Sequence, residues 1–386
     1  METIICDTSA FLYWRTPPIV HLFACAPEGD YTLRKLLNVN EIARLREEIV
    51  YASPLGQAFL HGPNRRHLGN TAKTVLEELP LMVAWADAPV NVLVTSSSQQ
   101  SKSSLIVPRL WPQKMPYGSI AQVCNDISVA CPELCLQQLA ARLSLPKVIM
   151  LATELCGTFS IFEASPPLRS VLQRLWDLGK LPELGGWSPC VSASGRLTDL
   201  WNRPALTDPQ TLQNFARQSE SRRGRAKLEK AANLVVPQAA SPLEARTGML
   251  LGLPQSMGGE GLGGFSHNER ILLSPNAKTL ANRDCCYCDL YWADGLDLEC
   301  QSIAYHDNRK SYLSDADRSA ALETMGIRVL PVSSRQIATR QRLDALASTV
   351  AQMRGIELPK KTESQRQKTD LLIREVQEDW FDLPLC

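Results

Sequence analysis

Residues 288–337 read CDLYWADGLDLECQSIAYHDNRKSYLSDADRSAALETMGIRVLPVSSRQI, and this stretch decides the fold. CYCDLYW and LDLECQS are short runs rich in aromatic, aliphatic and cysteine side chains, separated by Ala293-Asp294-Gly295. They read as two strands joined by a turn. SDADRSAALETMG then reads as a helix, with Ser314 as its cap and Gly326 as its stop. IRVLPVS follows as a buried strand, and a longer helix runs to Gly355.

Alternation along the second strand puts Asp297, Glu299 and Gln301 on one face. Leu296, Leu298 and Cys300 take the other. A strand with one apolar face and one acidic, amide-bearing face is not an ordinary core strand. The turn length sets which residues share a face. A three-residue connection places Trp292 opposite Leu296 and therefore Asp289 opposite Glu299. Gly295 suits the left-handed residue that ends such a turn. A two-residue Asp294-Gly295 turn would send Asp289 to the other face.

Upstream, SPLEARTGMLLGLP (241–254) reads as a helix with Ser241 as cap, Pro242 in first position and Glu244 in its first turn. SMGGEGLGGF (256–265) has the glycines of a phosphate loop but lacks Gly-Lys-Ser/Thr, so it reads as a connection. ERILLS is a further strand. The order helix, strand, strand, strand, helix, strand, helix is a mixed α/β core. Glu244, Asp289 and Glu299 sit one on each of three elements. Hard divalent cations such as Mg²⁺ take oxygen ligands from one or two carboxylates and keep several waters. Such an ion activates water and stabilises charge on a phosphate.

These residues, in this order, resemble the PD-(D/E)XK nuclease superfamily, in the branch similar to very-short-patch-repair endonucleases. The resemblance covers residues 241–355. It implies a restriction-endonuclease-like mixed sheet flanked by helices, and Mg²⁺ (or Mn²⁺) held by Asp289, Glu299 and the helix carboxylate Glu244. Gln301 stands where the superfamily usually has lysine. A lysine polarises water and stabilises the oxyanion; a neutral amide only orients by hydrogen bonds. His306 and Arg318 are accessory candidates, His306 as a proton donor and Arg318 as a partner for a core carboxylate or a phosphate. Asp315 is placed to favour the start of its helix.

The first half resembles, more faintly, the antitoxin regulators of abortive-infection (type IV toxin–antitoxin) systems. PVNVLVTSSS, SLIVPRLW and ISVACPELCLQQLA carry that likeness, and the first two read as a hairpin. Asp7-Thr8-Ser9 and Asn40 read as helix starts. Arg65, Arg66 and His67 fall in a polar loop. Arg222, Arg223, Arg225 and Lys227 form the densest basic segment and are the candidate contacts to DNA phosphates, against a solvated helix face.

The chain of 386 residues is long enough for two to three domains. Its segments are read as an α+β domain (1–205), a basic helical connector (206–240), the nuclease-like domain (241–357) and a charged helical tail (358–386). Hydrophobic residues make up 44% and charged residues 21%, which excludes global disorder. Forty-one basic against 40 acidic residues give a net charge of +1, so any nucleic-acid surface is local. No apolar run is long enough to span a membrane, and METIICDTSA lacks the basic region and long apolar stretch of a secretory signal. The twelve cysteines lack paired zinc spacing and read as reduced, buried thiols of a cytoplasmic protein, and the resemblances imply a bacterial one. The expected function is a Mg²⁺-dependent DNA endonuclease acting in defence or repair, with RNA as an open substrate. The alternative is a non-catalytic, antitoxin-like regulator or DNA binder on a degenerate nuclease fold.

Overall fold

The structure is a computed structural model and describes residues 2–25, 30–52, 89–100, 105–123, 126–301 and 309–384. Runs of Val and Ile, which suit a pleated buried surface, build a first sheet. Its strands are β1 (Thr3–Ile5), β2 (Val90–Val94), β3 (Ile106–Leu110), β4 (Ile120–Gln122) and β5 (Ile127–Ala130), in the order β3-β2-β1-β5-β4. The hairpin expected from β2 and β3 is corrected here. The two strands pair in parallel, Val90 with Ile106 through Val94 with Leu110. Parallel pairing requires a crossover rather than a tight turn.

Helices α1 (Asp7–Arg15), α2 (Pro18–Cys25), α3 (Tyr31–Leu36), α4 (Val39–Ala52), α5 (Pro132–Ala140), α6 (Leu145–Leu155) and α7 (Pro166–Asp177) follow or flank this sheet. α4 begins one residue before the expected cap at Asn40. Asn38 serves instead: its Oδ1 accepts the Glu41 amide and Glu41 returns a bond to the Asn38 amide, both at 2.9 Å. β6 (Phe159–Ile161), β7 (Ser188–Val191) and β8 (Leu197–Asn202) form a small antiparallel sheet over α2, α4 and α7.

The remaining elements are α8 (Pro209–Gln218), α9 (Arg225–Ala232), α10 (Pro242–Gly252), β9 (Phe265–Leu272), α11 (Pro275–Ala281), β10 (Cys285–Trp292), β11 (Leu296–Gln301), α12 (Arg309–Thr324), β12 (Arg328–Ser333), α13 (Arg340–Arg354) and α14 (Glu363–Val376). The last sheet runs β12-β11-β10-β9. β9, β10 and β11 are successively antiparallel, and β12 lies parallel to β11. α12 starts at Arg309, so Ser314 is inside the helix rather than capping it. Arg309 and Lys310 are good helix formers and extend it upstream. The chain is thus an α+β protein with helices packed on mixed sheets.

One apolar cluster joins the first sheet to the last. It includes Ile5, Val129, Leu151, Leu250, Leu298, Val350 and Leu383. The charged tail belongs to it through Leu372, Ile373, Val376, Trp380 and Leu383. Trp380 is buried and gives its indole N–H to Glu154 at 2.6 Å. Arg15 binds both Glu154 oxygens, at 2.8 and 2.7 Å, and also the carbonyls of Trp380 and Phe381. A buried ion pair on α1 and α6 is therefore hydrogen-bonded by Trp380 and Phe381. Among the described residues no helix is long and apolar enough to cross a membrane, and the cysteines are free thiols.

Candidate functional site

α10 sets the helix side of the site. Ser241 caps it, accepting the Glu244 amide at 3.2 Å, with Pro242 next. Glu244 then reaches back. Its Oε2 accepts the Ala240 amide at 2.8 Å, and its Oε1 accepts the Ser241 hydroxyl at 2.8 Å. Asn268 of β9 adds a third bond to Oε2 at 2.8 Å. The helix lies close on β9 because Gly248 has no side chain there. A Cβ at that position would meet the His267 Nε2 at 2.8 Å and the Phe265 ring at 3.1 Å.

The turn between β10 and β11 has the expected three residues. Trp292 pairs with Leu296, Tyr291 with Asp297 and Leu290 with Leu298. Gly295 adopts φ +83° and returns its amide to the Trp292 carbonyl at 2.9 Å. Continuing the register sets Asp289 opposite Glu299. Register alone does not aim the side chains, however. Leu290 and Trp292 belong to the large core, while Cys286 and Cys288 pack with Ala277, Ala321 and Leu322 on the opposite face. Regular alternation would put all four on one face, so β10 changes face at Asp289. Its partner strand breaks at the same place: Asn268 has φ +50°, and β9 pairs through Glu269 and His267 on either side of it. Asp289 accordingly turns its Oδ2 to the Cys300 amide of β11, at 2.8 Å.

β11 follows the predicted alternation. Leu296 and Leu298 are in the large core, with Cys300 packed against it. Asp297 and Glu299 lie on the α12 side, where Arg318 forms an ion pair with Glu299. The sheet therefore separates Glu299 from Glu244, and Asp289 stands at the crossing between them. Gln301 is exposed at the strand end. His306 lies outside the described residues, as do Arg65, Arg66, His67 and the side chain of Asp315.

Burial dominates the electrostatics. It raises Glu244 to about 8, and the charge of Asp289 adds to the rise. It raises Asp289 to about 6, against the opposing Cys300 amide and Arg318. Asp297 was absent from the predicted site, although its alternation with Glu299 and Gln301 was visible in the sequence. It is fully buried, with the Cys288 thiol beside its carboxyl. Burial lifts it to about 6 as well, with the Cys288 thiol and Arg318 opposing. His267, whose Nδ1 is 3.1 Å from the Asp289 carbonyl, is lowered to about 4 by burial.

A divalent ion of the Mg²⁺ type needs carboxylate oxygens free to ligate and converging on one point. Both oxygens of Glu244 already accept bonds, one oxygen of Asp289 accepts an amide, and Glu299 is paired with Arg318. Among the described residues no group of three His, Cys, Asp or Glu side chains is placed to hold a metal. This arrangement of donors does not fit the implied ion.

In the basic segment, Arg222 and Arg223 are exposed. Arg225 instead gives an Nη1 bond to the Ser219 carbonyl at 3.2 Å, and the Lys227 ammonium bonds the Leu143 carbonyl. Those two cations tie α9 to its surroundings. No family model matches the chain, and neither a curated protein nor a solved structure matches it significantly.

Proposed function

We propose that this chain is a DNA-binding protein whose last sheet has a nuclease-type layout without a working metal centre. The observation that carries this reading is the Arg318–Glu299 ion pair, together with the use of Glu244 as a helix cap. A carboxylate already neutralised by a guanidinium is a poor ligand for a hard cation. Arg222 and Arg223 are the exposed cations offered to phosphates. The protein is cytoplasmic and bacterial in this reading, of the antitoxin-regulator kind.

A second reading keeps the Mg²⁺- or Mn²⁺-dependent endonuclease of defence or repair. It is favoured by Asp289 and Glu299 lying on adjacent strands in opposing register, with Glu244 next to Asp289. It requires Arg318 to leave Glu299 for a substrate phosphate.

The deciding experiment incubates the protein with plasmid, linear and single-stranded DNA, and with RNA, in Mg²⁺ or Mn²⁺. The binding reading expects retarded DNA and no metal-dependent cleavage, with Asp289→Ala binding like the wild type. Cleavage that Asp289→Ala abolishes would establish the hydrolase instead.

A further inference from the structure

A cavity of about 230 Å³ opens between α10, β9 and the segment that follows α9. Its rim is exposed, at Asn233 on one segment and Gly263 on another. Its walls are buried. Ala245 and Met249 of α10 are 1% and 5% exposed, and Phe265 and His267 of β9 are 6% and 5% exposed. Among the described residues no Asp, Glu, Lys or Arg side chain lines it.

The lining side chains that carry nitrogen or oxygen are those of Thr153, Asn233 and His267. Thr153 gives its hydroxyl to the Ile149 carbonyl at 2.8 Å. Asn233 gives its amide to the Glu229 carbonyl at 3.0 Å and accepts the Gln213 amide at 2.9 Å. His267 is only half committed. Its Nδ1 stands 3.1 Å from the Asp289 carbonyl, and a carbonyl only accepts, so Nδ1 carries the proton. The buried ring is neutral near pH 7, which leaves Nε2 with a lone pair. Nε2 belongs to the ring edge turned away from the Asp289 carbonyl. That edge faces Gly248, where a Cβ would lie 2.8 Å from Nε2 and 2.9 Å from Cε1. Gly248 lines the same cavity and has no side chain to donate. A buried acceptor without a hydrogen-bond partner among the described residues thus stands in the wall of an apolar cavity. Such an acceptor is unfavourable until a donor reaches it.

We propose that this cavity binds a small, neutral aromatic molecule that gives one N–H or O–H to His267 Nε2. An apolar cavity of about 150 Å³ takes up benzene, so the larger volume here leaves room for a second ring. The Phe265 and His267 rings meet edge to face with centroids 5.2 Å apart, and the Met249 thioether lies in the same wall. Both kinds of group suit an aromatic ligand. A charged ligand would give up its water with no counter-charge in the walls. The inference holds whether or not the chain binds or cleaves DNA.

Calorimetric titration of the full chain with indole and with benzofuran tests it. Benzofuran keeps the fused rings of indole but has an oxygen in place of the N–H. Saturable binding of indole is expected, about tenfold tighter than benzofuran, which is the effect of one neutral hydrogen bond. His267→Phe keeps a ring in the wall but removes the acceptor, and should bring indole down to the affinity of benzofuran. Ala245→Leu fills the cavity and should abolish binding of both; circular dichroism shows whether it folds. If it does not, Leu234→Trp at the half-buried rim takes its place. Lys360→Ala, an exposed cation on another segment, should bind like the wild type. Absence of saturable indole binding overturns the proposal. So does equal binding of the two probes by the wild type, and so does indole binding that the folded His267→Phe or the filled cavity leaves unchanged.

Discussion

Asp289 and Cys300 are joined across β10 and β11 by a 2.8 Å bond from the Cys300 amide to the Asp289 carboxylate. That bond spends a carboxylate oxygen on holding strands together at the point where β10 changes face. It also keeps a buried charge next to Glu244, whose proton affinity rises first through burial and then through this neighbour.

Asp289→Asn should therefore lower the Glu244 pKa without returning it to 4.5, its ordinary value, because burial is the larger cause. The asparagine oxygen can still accept the Cys300 amide, so the fold is kept. Side-chain carboxyl NMR titration of Glu244 in both proteins reads this directly. An unchanged Glu244 midpoint would mean that the two carboxylates do not sense each other.

Stability should fall as pH rises from about 4.5 to about 8, with Glu244 the main cause. Glu244 keeps its proton up to about 8 in the folded chain, while an unfolded glutamate releases it near 4.5. Between those values folding retains a proton, so rising pH favours unfolding, and above 8 the whole cost is present. Asp289 acts in the same direction at lower pH, being raised to about 6. His267 acts oppositely. Its folded pKa is lowered to about 4 from 6.5, so stability is lost as pH falls through that interval. The slope contributed by any one proton is at most about 1.4 kcal/mol per pH unit. Urea unfolding at a series of pH values should show Glu244→Gln flattening this decline most strongly between about pH 6 and 8, where Glu244 is the only one of the three still titrating in the folded chain.

Local chemistry was the part of this molecule legible in its sequence. The Ser241-Pro242 cap, the three-residue turn closed by Gly295, and the strand alternation that faces Asp297 with Glu299 are all short-range consequences of residue type. The pairing of Arg318 with a core carboxylate was one of two options the sequence left open. What was not legible depends on a second strand. The face change at Asp289 is tied to the positive φ of Asn268, distant in sequence, and no period within β10 announces it. Likewise, the turn residues between β2 and β3 suit a hairpin, but the strands pair in parallel, and nothing within either strand announces the direction of its partner. Glu244 shows a third limit: a first-turn glutamate after Ser241 reads equally as a metal ligand or a cap, and only the Ala240 and Asn268 bonds decide between them.

The basic segment should divide into two functional halves if it meets DNA. Arg222→Ala removes an exposed cation, so the logarithmic salt slope of DNA binding should shrink by about 0.9 with little effect on stability. Lys227→Ala removes the bond to the Leu143 carbonyl. Its first effect should be a lower urea midpoint, since it leaves a carbonyl without that donor. Equal salt slopes for wild type and Arg222→Ala would return the segment to a solvated surface.

The Arg318–Glu299 pair admits the sharpest test of the last sheet. The side chains are 21% and 14% exposed, so water screens them only partly. Removing one partner from a buried pair costs about 3–5 kcal/mol; the residual exposure here reduces that to roughly 1–3 kcal/mol. Arg318→Met should also raise Asp297 and Asp289 further, because the guanidinium opposes their rise. Its destabilisation should therefore grow with pH across the range where those carboxyls ionise. Adding Glu299→Gln to Arg318→Met removes the orphaned charge and should recover much of the loss. The coupling energy from the four proteins isolates the pair from packing changes shared by both single variants. A coupling near zero would mean that Arg318 is not committed to Glu299 in solution. Glu299 would then be available to a cation, and the hydrolase reading would gain over the binding one.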